Sequence, residues 1–579
     1  MIWYLENLQR FREERKALER LASSAAWFLF GDWRMDDSFR LVCDADIITT
    51  AKSYPVTLQY PNHFPHSPPL VVPRGTSERW SSHQYGAGGE LCLEYGPDNW
   101  HPDINGAAMI ESAHRLLQGE IAAPGGQQPD VPSRHSTTIG QDLRSRRLRL
   151  LATSPLLEAM ANIPDHTLVK GTLLGMYHEE SVVFTIASIT LPNGVEWSDS
   201  TIPQPIKYEA NERPILIVRW PHDAARPATE SAQDLLRSIG VGNDSPEVSH
   251  VFVVQGTNIY GHRIWDNGAV GEIPTIPPPP DARRLDEGHA PLVSRKVAIV
   301  GCGSLGSKLA VILARAGVGN YLLVDADIML PENLVRHDLD WRDVGTHKAA
   351  AVARRIQLVN VRAQCQTRQH LIGGQEASGS IETLITSLAE CDLIIDATAD
   401  GRAFGYLCAA ASTGRKPVLW AEVFGGGFGG LIARHRPLLE PDPASMRRAI
   451  ENWCSQQGVE PPPRAINYET REAGPPMIAD DSDVSVIASH AARLAIDTLI
   501  PSNPSKFPYS VYMIGLAQGW IFDQPFDTRP IDVGPPADAA AEAADPQMVD
   551  REMAVVGELF MKRANAAAST SADPTAPTT

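Results

Sequence analysis

Long apolar runs are missing: nothing in the 579 residues approaches the ~20 consecutive apolar residues of a membrane-spanning helix, so no membrane role is expected. Basic residues are in deficit, 51 Lys and Arg against 69 Asp and Glu, for a formal net charge of −18. Gripping a phosphate backbone needs clustered cations, and this balance argues against nucleic acid as a partner. The one basic cluster, Arg144, Arg146, Arg147 and Arg149, reads as the solvated face of a linker helix. Cysteine is sparse: the seven thiols include no CxxC pair, which speaks against a disulfide framework or a zinc site. The opening Met-Ile-Trp-Tyr-Leu-Glu leads into charged helical sequence and not into the apolar core of a secretory signal, so a cytoplasmic protein is expected.

What is present suits a globular chain: 43% hydrophobic and 21% charged residues. A single core rarely grows beyond ~250–300 residues, so two or three domains are expected. Residues 5–26 carry apolar side chains at helical spacing, and strand-like runs follow at 27–34, 39–48 and 54–60. A Pro-rich passage (61–73), a glycine-containing loop around Cys92 and a helical pattern at 104–117 complete a first domain, 1–125. Residues 126–150 read as a linker. A strand-rich middle domain spans 151–276; it holds no motif that implies chemistry and ends at Pro277–Pro280. The last domain spans 281–534, and from about 290 to Val423 strand and helix alternate in the pattern of a doubly wound parallel sheet. The tail, 535–579, is rich in Ala, Pro, Ser and Thr and reads as largely disordered. Within it, 548–563 has helical apolar spacing, expected to pack back onto its own domain.

Gly301-Cys302-Gly303-Ser304-Leu305-Gly306 follows a strand and opens a helix. Such glycines permit a tight turn and let phosphate approach the free N–H groups of the helix N-terminus. Asp325 ends the next strand, where a carboxylate can meet ribose hydroxyls. To this point a dehydrogenase fits equally well. The residues that follow favour another chemistry: Asp325-Ala326-Asp327, then Asn333-Leu334, Arg336 and Lys348. This spacing resembles the family of ThiF, MoeB and the ubiquitin-activating enzymes. The resemblance implies that Asp325 binds ribose and that Asn333, Arg336 and Lys348 grip the triphosphate of ATP. It extends to Asp396-Ala397-Thr398-Ala399-Asp400, which implies Asp400 as the magnesium ligand, with Asp396 in reserve because one residue is inserted. Gly425–Gly430 matches the family's glycine-containing segment. Attack of a carboxylate on the α-phosphate gathers negative charge, so catalysis asks for positioned cations, here Arg336, Lys348 and a Mg2+ ion, more than for a proton shuttle. Arg283 and Arg284 are weak candidates for an arginine donated across a dimer, and read as ordinary surface residues.

Family members that tag proteins pass the acyl group to a cysteine beyond the strand ending near Val423, which implies Cys454 as the relay thiol. In the first domain, Tyr60-Pro61, Pro68-Pro69, Gly89-Glu90-Leu91-Cys92-Leu93 and Trp100-His101-Pro102 resemble the ubiquitin-conjugating enzymes. That resemblance implies Cys92 as a second thioester site. Where those enzymes carry His-Pro-Asn, this chain has Ser82-His83-Gln84. Gln84 is thereby expected to supply the amide hydrogen bond of the missing Asn, and His83 to serve as a base.

The expected fold is a multidomain combination of α/β and α+β: an N-terminal ubiquitin-conjugating-like α+β domain, a strand-rich middle, and a Rossmann-like ThiF domain. The resemblance implies activation of a C-terminal carboxylate, passage through Cys454 and Cys92, and conjugation to a target amine. The implied cargo is a ubiquitin-like protein or the C-terminus of a cGAS-like nucleotidyltransferase, as in CBASS antiphage conjugating proteins. A homodimer through the ThiF domain is implied too. Two alternatives stand beside this reading: a sulfur-carrier adenylyltransferase like ThiF or MoeB, and a non-catalytic scaffold that binds ATP and a ubiquitin-like protein.

Overall fold

The computed structural model describes residues 2–121 (except 77, 82 and 87), 138–242, 248–278, 287–374, 378–424, 426–458, 479–536 and 546–570. The chain divides into two compact units, Met1–Arg146 and Arg147–Thr579.

The first unit is an antiparallel meander, β1 (Phe28–Met35), β2 (Leu41–Ile48), β3 (Ser53–Gln59) and β4 (Leu70–Pro73), in that spatial order. Two helices precede it, α1 (Trp3–Glu6) and α2 (Leu8–Ser24), and α3 (Gly106–Gly119) follows. β2 buries Leu41, Cys43, Ala45 and Ile47, the period-two pattern of a strand with one face on a core. That face packs with Leu18 and Leu21 of α2 and Ile110 and Leu117 of α3. The Asn105 side chain caps α3 by accepting from the Ala108 N–H. One buried carboxylate joins three segments: Glu14 of α2 accepts from the Tyr60 hydroxyl (2.8 Å) and the Gly106 N–H (2.7 Å), and pairs with Arg10 (2.9 Å). Burial pushes the Glu14 carboxyl above its ordinary range. A short hairpin, β5 (Gln84–Tyr85) and β6 (Glu90–Leu91), stands before Cys92. The last helix of this unit is the short α4 (Ile139–Leu143).

The basic cluster is not helical. The helix stops at Leu143, and Arg147-Leu148-Arg149-Leu150 alternates with a period of two, which sends Leu148–Leu151 into a strand, β7. The middle sheet therefore begins at Leu148, three residues before the expected boundary. Its other strands are β8 (Leu168–Tyr177), β9 (Val182–Thr190), β10 (Glu196–Ser198), β11 (Asn211–Trp220), β12 (His250–Gln255), β13 (Asn258–Ile264), β14 (Val270–Ile273) and β15 (Thr275–Ile276). They run in the order β14-β13-β12-β11-β8-β9-β7-β15, with β10 beside β9. Helices α5 (Ser154–Ala161), α6 (Gln204–Glu209) and α7 (Ala232–Ser238) interrupt the strands.

Residues 296–531 hold an eight-stranded sheet in the order β18-β17-β16-β19-β20-β21-β22-β23. Its parallel half comprises β16 (Lys296–Val300), β17 (Asn320–Val324), β18 (Gln364–Arg368), β19 (Leu393–Asp396) and β20 (Val418–Val423). Helices α8 (Ser304–Ala316), α9 (Lys348–Val359), α10 (Ser378–Ala389) and α11 (Gly401–Gly414) lie between these strands in sequence. The other half is antiparallel: β21 (Gly429–His435), β22 (Val511–Gly515) and β23 (Thr528–Ile531). The parallel sheet expected from the strands up to Val423 is found, and three antiparallel strands that were not expected extend it. Only a few residues separate β20 from β21, too few for a crossover, so the chain turns back as a hairpin. Helices α12 (Pro443–Gln456) and α13 (Asp481–Leu499) occupy the long connection to β22. α13 lies on α8, β20 and β21, with Val484, Ile487, Ala488 and Ala491 buried in the core.

In the tail, α14 spans Pro546–Thr570, and its described side chains, Gln547–Asn565, are all exposed. The expected packing of this segment onto its own domain is not found. Among the described residues, no helix is long and apolar enough to cross a membrane.

Candidate functional site

β17 lies on one side of β16 and β19 on the other, so the carboxyl end of β16 is the switch point of the parallel half, where open α/β sheets receive ligands. The chain leaves β16 through Gly301, whose φ is +85°. A Cβ there would meet the Ala397 backbone at 2.9 Å, and one on Gly306 would strike the Gly301 carbonyl oxygen at 1.8 Å. Both positions require glycine. A Cβ on Gly303, at the N-cap of α8, would meet nothing within 4 Å, which leaves room above the helix N-terminus.

Asp325 braces this turn. One carboxylate oxygen accepts from the Cys302 N–H (2.6 Å), the other from the Asp327 N–H (2.8 Å). Burial raises its carboxyl above the ordinary aspartate range. Lys348 is buried at the first position of α9, and its ammonium lies 2.9 Å from Asp327. A cation at a helix N-terminus opposes the helix dipole, an arrangement stability alone would not select. Arg336 is half-buried one turn after the short 3₁₀ segment Pro331–Asn333, where Asn333 accepts from the Leu330 N–H at 3.0 Å. The structure thus gathers Gly301, Gly303, Gly306, Asp325, Asp327 and Lys348 at one end of the sheet.

His337, which sequence reasoning missed, belongs to this set. Its Nδ1 accepts from the Leu339 N–H at 3.2 Å, so Nε2 carries the proton and donates to the Cys302 carbonyl at 2.8 Å. Burial holds its pKa down, at about 4. A lone histidine in a non-periodic stretch offers no sequence signal. Cys302 itself is fully buried beside Asp325, with its thiol pushed far up, which makes it inert.

The two candidate metal ligands differ. Asp400 caps α11 by accepting from the Arg402 N–H (2.8 Å), and both its oxygens are engaged by the Arg402 guanidinium, which lowers its pKa. Asp396, at the end of β19, is 2% exposed. Its Oδ1 takes the Thr398 N–H and hydroxyl, and its Oδ2 is buried with no hydrogen-bond partner. Such an orphan oxygen is costly unless a ligand or ion satisfies it. Among the described residues no group of three His, Cys, Asp or Glu side chains forms a metal cluster.

Cys454 lies in the last turn of α12, half-buried against the core, and not in a loop. Burial and, secondarily, Glu451 raise its thiol pKa. Two turns earlier on the same helical face, Arg447 rests 3.7 Å over the Phe404 ring and contacts Glu422 at 3.2 Å, which ties α12 to the end of β20. Arg283, Arg284 and Gly425 lie outside the described residues.

In the first unit, Cys92 is half-buried immediately after β6, and its N–H donates to the His83 carbonyl at 2.7 Å. Burial, then the charge of Asp98, raises its thiol pKa. Gln84 is buried and its amide is occupied: Oε1 accepts from the Trp80 and Ser81 N–H groups, and Nε2 donates to the Gly89 carbonyl at 2.9 Å. It staples the loop before Cys92. Ser82 lies outside the described residues.

Residues 283–518 match the ThiF family. The chain is 31% identical over 136 residues to the ATP-dependent ubiquitin transferase-like protein Cap2 of Pseudomonas aeruginosa, covering 22% of this chain and 23% of that protein. Cap2 of Escherichia coli is 36% identical over 117 residues, with 19% and 18% covered. The sulfur carrier protein ThiS adenylyltransferase of Escherichia coli is 30% identical over 150 residues, covering 25% of this chain and 55% of that protein. The chain spans about a fifth of the length of the Cap2 relatives it matches. A solved structure of Escherichia coli MccB with ATP aligns at 18% identity and TM-score 0.32, covering 43% of this chain and 67% of that one.

Proposed function

We propose that the ThiF domain binds ATP and activates the C-terminal carboxylate of a protein by adenylation. One observation carries this reading: a buried lysine at a helix N-terminus, Lys348, pairs with Asp327 beside Asp325, the carboxylate that braces the glycine turn. The open space at Gly303 and the backbone N–H groups of α8 suit a polyphosphate. The carboxylate of the cargo attacks the α-phosphorus, the bond to the bridging oxygen breaks, and pyrophosphate leaves with the displaced charge. Arg336 and Lys348 would stabilise that charge, and Asn333 would help hold the phosphates. Asp400 would hold a magnesium ion by exchanging its Arg402 contact for the metal, with Asp396, whose Oδ2 has no hydrogen-bond partner, as the alternative; when bound, the ion supplies positive charge to the phosphates.

The first unit is, in this proposal, a ubiquitin-conjugating-like domain. The acyl group passes from the adenylate to Cys454, then to Cys92, then to a target amine, each step exchanging one acyl bond for another. Each protomer supplies one ThiF domain to a homodimer. The cargo is a ubiquitin-like protein or a cGAS-like nucleotidyltransferase, and the setting bacterial antiphage defence in the cytoplasm. His83, whose carbonyl accepts from the Cys92 N–H, is the candidate base.

The helical, half-buried position of Cys454 favours a second reading, in which the adenylate forms and no relay follows, as in a sulfur-carrier adenylyltransferase. Intact-mass spectrometry after incubation with ATP and a candidate cargo separates the two. A reductant-sensitive adduct on Cys92, lost in Cys92→Ala, supports the relay; adenylate without any thiol adduct supports the alternative.

A further inference from the structure

The helix α14 presents an apolar stripe that the remainder of the described protein does not cover. Val549, Met553, Val556 and Phe560 follow one another at spacings of four, three and four residues, the seam of a two-stranded helical pair. All are exposed, Phe560 at 68% and Met553 at 64%. A helix of this length in water draws most of its stability from packing of an apolar face, and Gly557 in its middle weakens it further.

The charges indicate what covers the stripe. In the first half, Asp550 and Glu552 outweigh Arg551; in the second, Lys562 and Arg563 outweigh Glu558. One half is therefore acidic and the other basic. A parallel partner of the same sequence would set like ends together, whereas an antiparallel one sets the net-acidic half against the net-basic half. We propose that α14 pairs with α14 of a second copy of this chain, antiparallel and centred on Val556. In that register Met553 lies level with Leu559 of the partner subunit, one residue's rise of about 1.5 Å from Phe560 of the partner subunit, and Asp550 faces Lys562 of the partner subunit. The pairing is independent of the adenylation reading and of any contact between ThiF domains.

The test is site-directed cross-linking of the full-length protein under mild oxidation, read by mass spectrometry of the disulfide-linked peptides. Val556→Cys, at the centre of symmetry, is expected to link to itself. Val549→Cys is not, because positions 549 of the two copies lie about 21 Å apart, fourteen residues at 1.5 Å. Exchanging the charges supplies the second arm. Lys562→Glu with Arg563→Glu should abolish the link at position 556, and adding Asp550→Lys with Glu552→Lys should restore it. Equal linking at positions 549 and 556 would show a parallel pair, and no link at position 556 would show that the stripe serves a different partner; either overturns the proposal.

Discussion

The imidazole of His337 donates from Nε2 to the Cys302 carbonyl at 2.8 Å, and so ties the segment that carries Arg336 to the turn that opens α8. The bond requires a neutral ring. With a folded pKa near 4 against 6.5 for an unperturbed histidine, the unfolded chain binds the extra proton first as the pH falls. The stability this ring contributes is therefore fully present above pH 6.5 and is lost as pH falls through about 4. His337→Ala should lower unfolding free energy by ~1–3 kcal/mol through an unsatisfied buried carbonyl, and should flatten the acid limb of the stability curve. Denaturant unfolding between pH 4 and 8 checks both effects. An unchanged acid limb in His337→Ala would show that the ring is not the group titrating there.

Gln84 is expected to act as a staple. Its amide is committed to Trp80, Ser81 and Gly89, so Gln84→Ala frees buried backbone groups at ~1–3 kcal/mol. Loading of Cys92 and discharge to amine should then fall together, since the loop itself is disturbed. Single-turnover measurement of both steps decides the role. Normal loading with discharge slowed ~10²-fold would instead mark Gln84 as an oxyanion donor.

The thiols of Cys92 and Cys454 are both held above the ordinary cysteine value, chiefly by burial. The thiolate is the nucleophile, so loading at neutral pH should run on a small ionised fraction and climb as pH rises through 8 and above. Cys454→Ala should form adenylate and load nothing on Cys92, while Cys92→Ala should accumulate a reductant-sensitive adduct at Cys454. Full loading of Cys92 without Cys454 would mean direct transfer from the adenylate.

Glu14 joins α2, Tyr60 and the start of α3 inside the first unit. Replacing it by Ala leaves the Tyr60 hydroxyl and the Gly106 N–H without their acceptor, and the Arg10 guanidinium with the Ile104 carbonyl but no countercharge. A loss of ~3–5 kcal/mol is expected, as for a broken buried pair. Urea unfolding of the full chain, monitored by fluorescence of the tryptophans in the first unit, should show that transition moving to lower denaturant. An unmoved midpoint would contradict the packing described.

Four of the five parallel strands, β16, β17, β19 and β20, were legible because each is short and apolar, with glycine or aspartate as punctuation at Val300-Gly301 and Val324-Asp325, whereas β18 is the polar edge run Gln364–Arg368, which carries no such pattern. The antiparallel half was not legible, because β21 opens on Gly429-Gly430 and reads as loop until its pairing with β20 and β22 is seen. The motif residues from Gly301 to Lys348 stand out in the sequence through their resemblance to the ThiF family. His337 and Glu14 do not, since their roles rest on contacts between distant segments. Cys454 was visible as a lone thiol, but its place in α12 depends on the apolar face Met446–Ile450, which was overlooked.

Partner-dependent exchange of pyrophosphate into ATP tests the central claim most directly. The wild-type protein should catalyse it only when its cargo is present, and Arg336→Ala, Lys348→Ala and Asp400→Ala should each lower the rate ~10²–10³-fold, as expected for one lost charge contact to the transition state. Undiminished exchange in all three variants would contradict adenylation at this site.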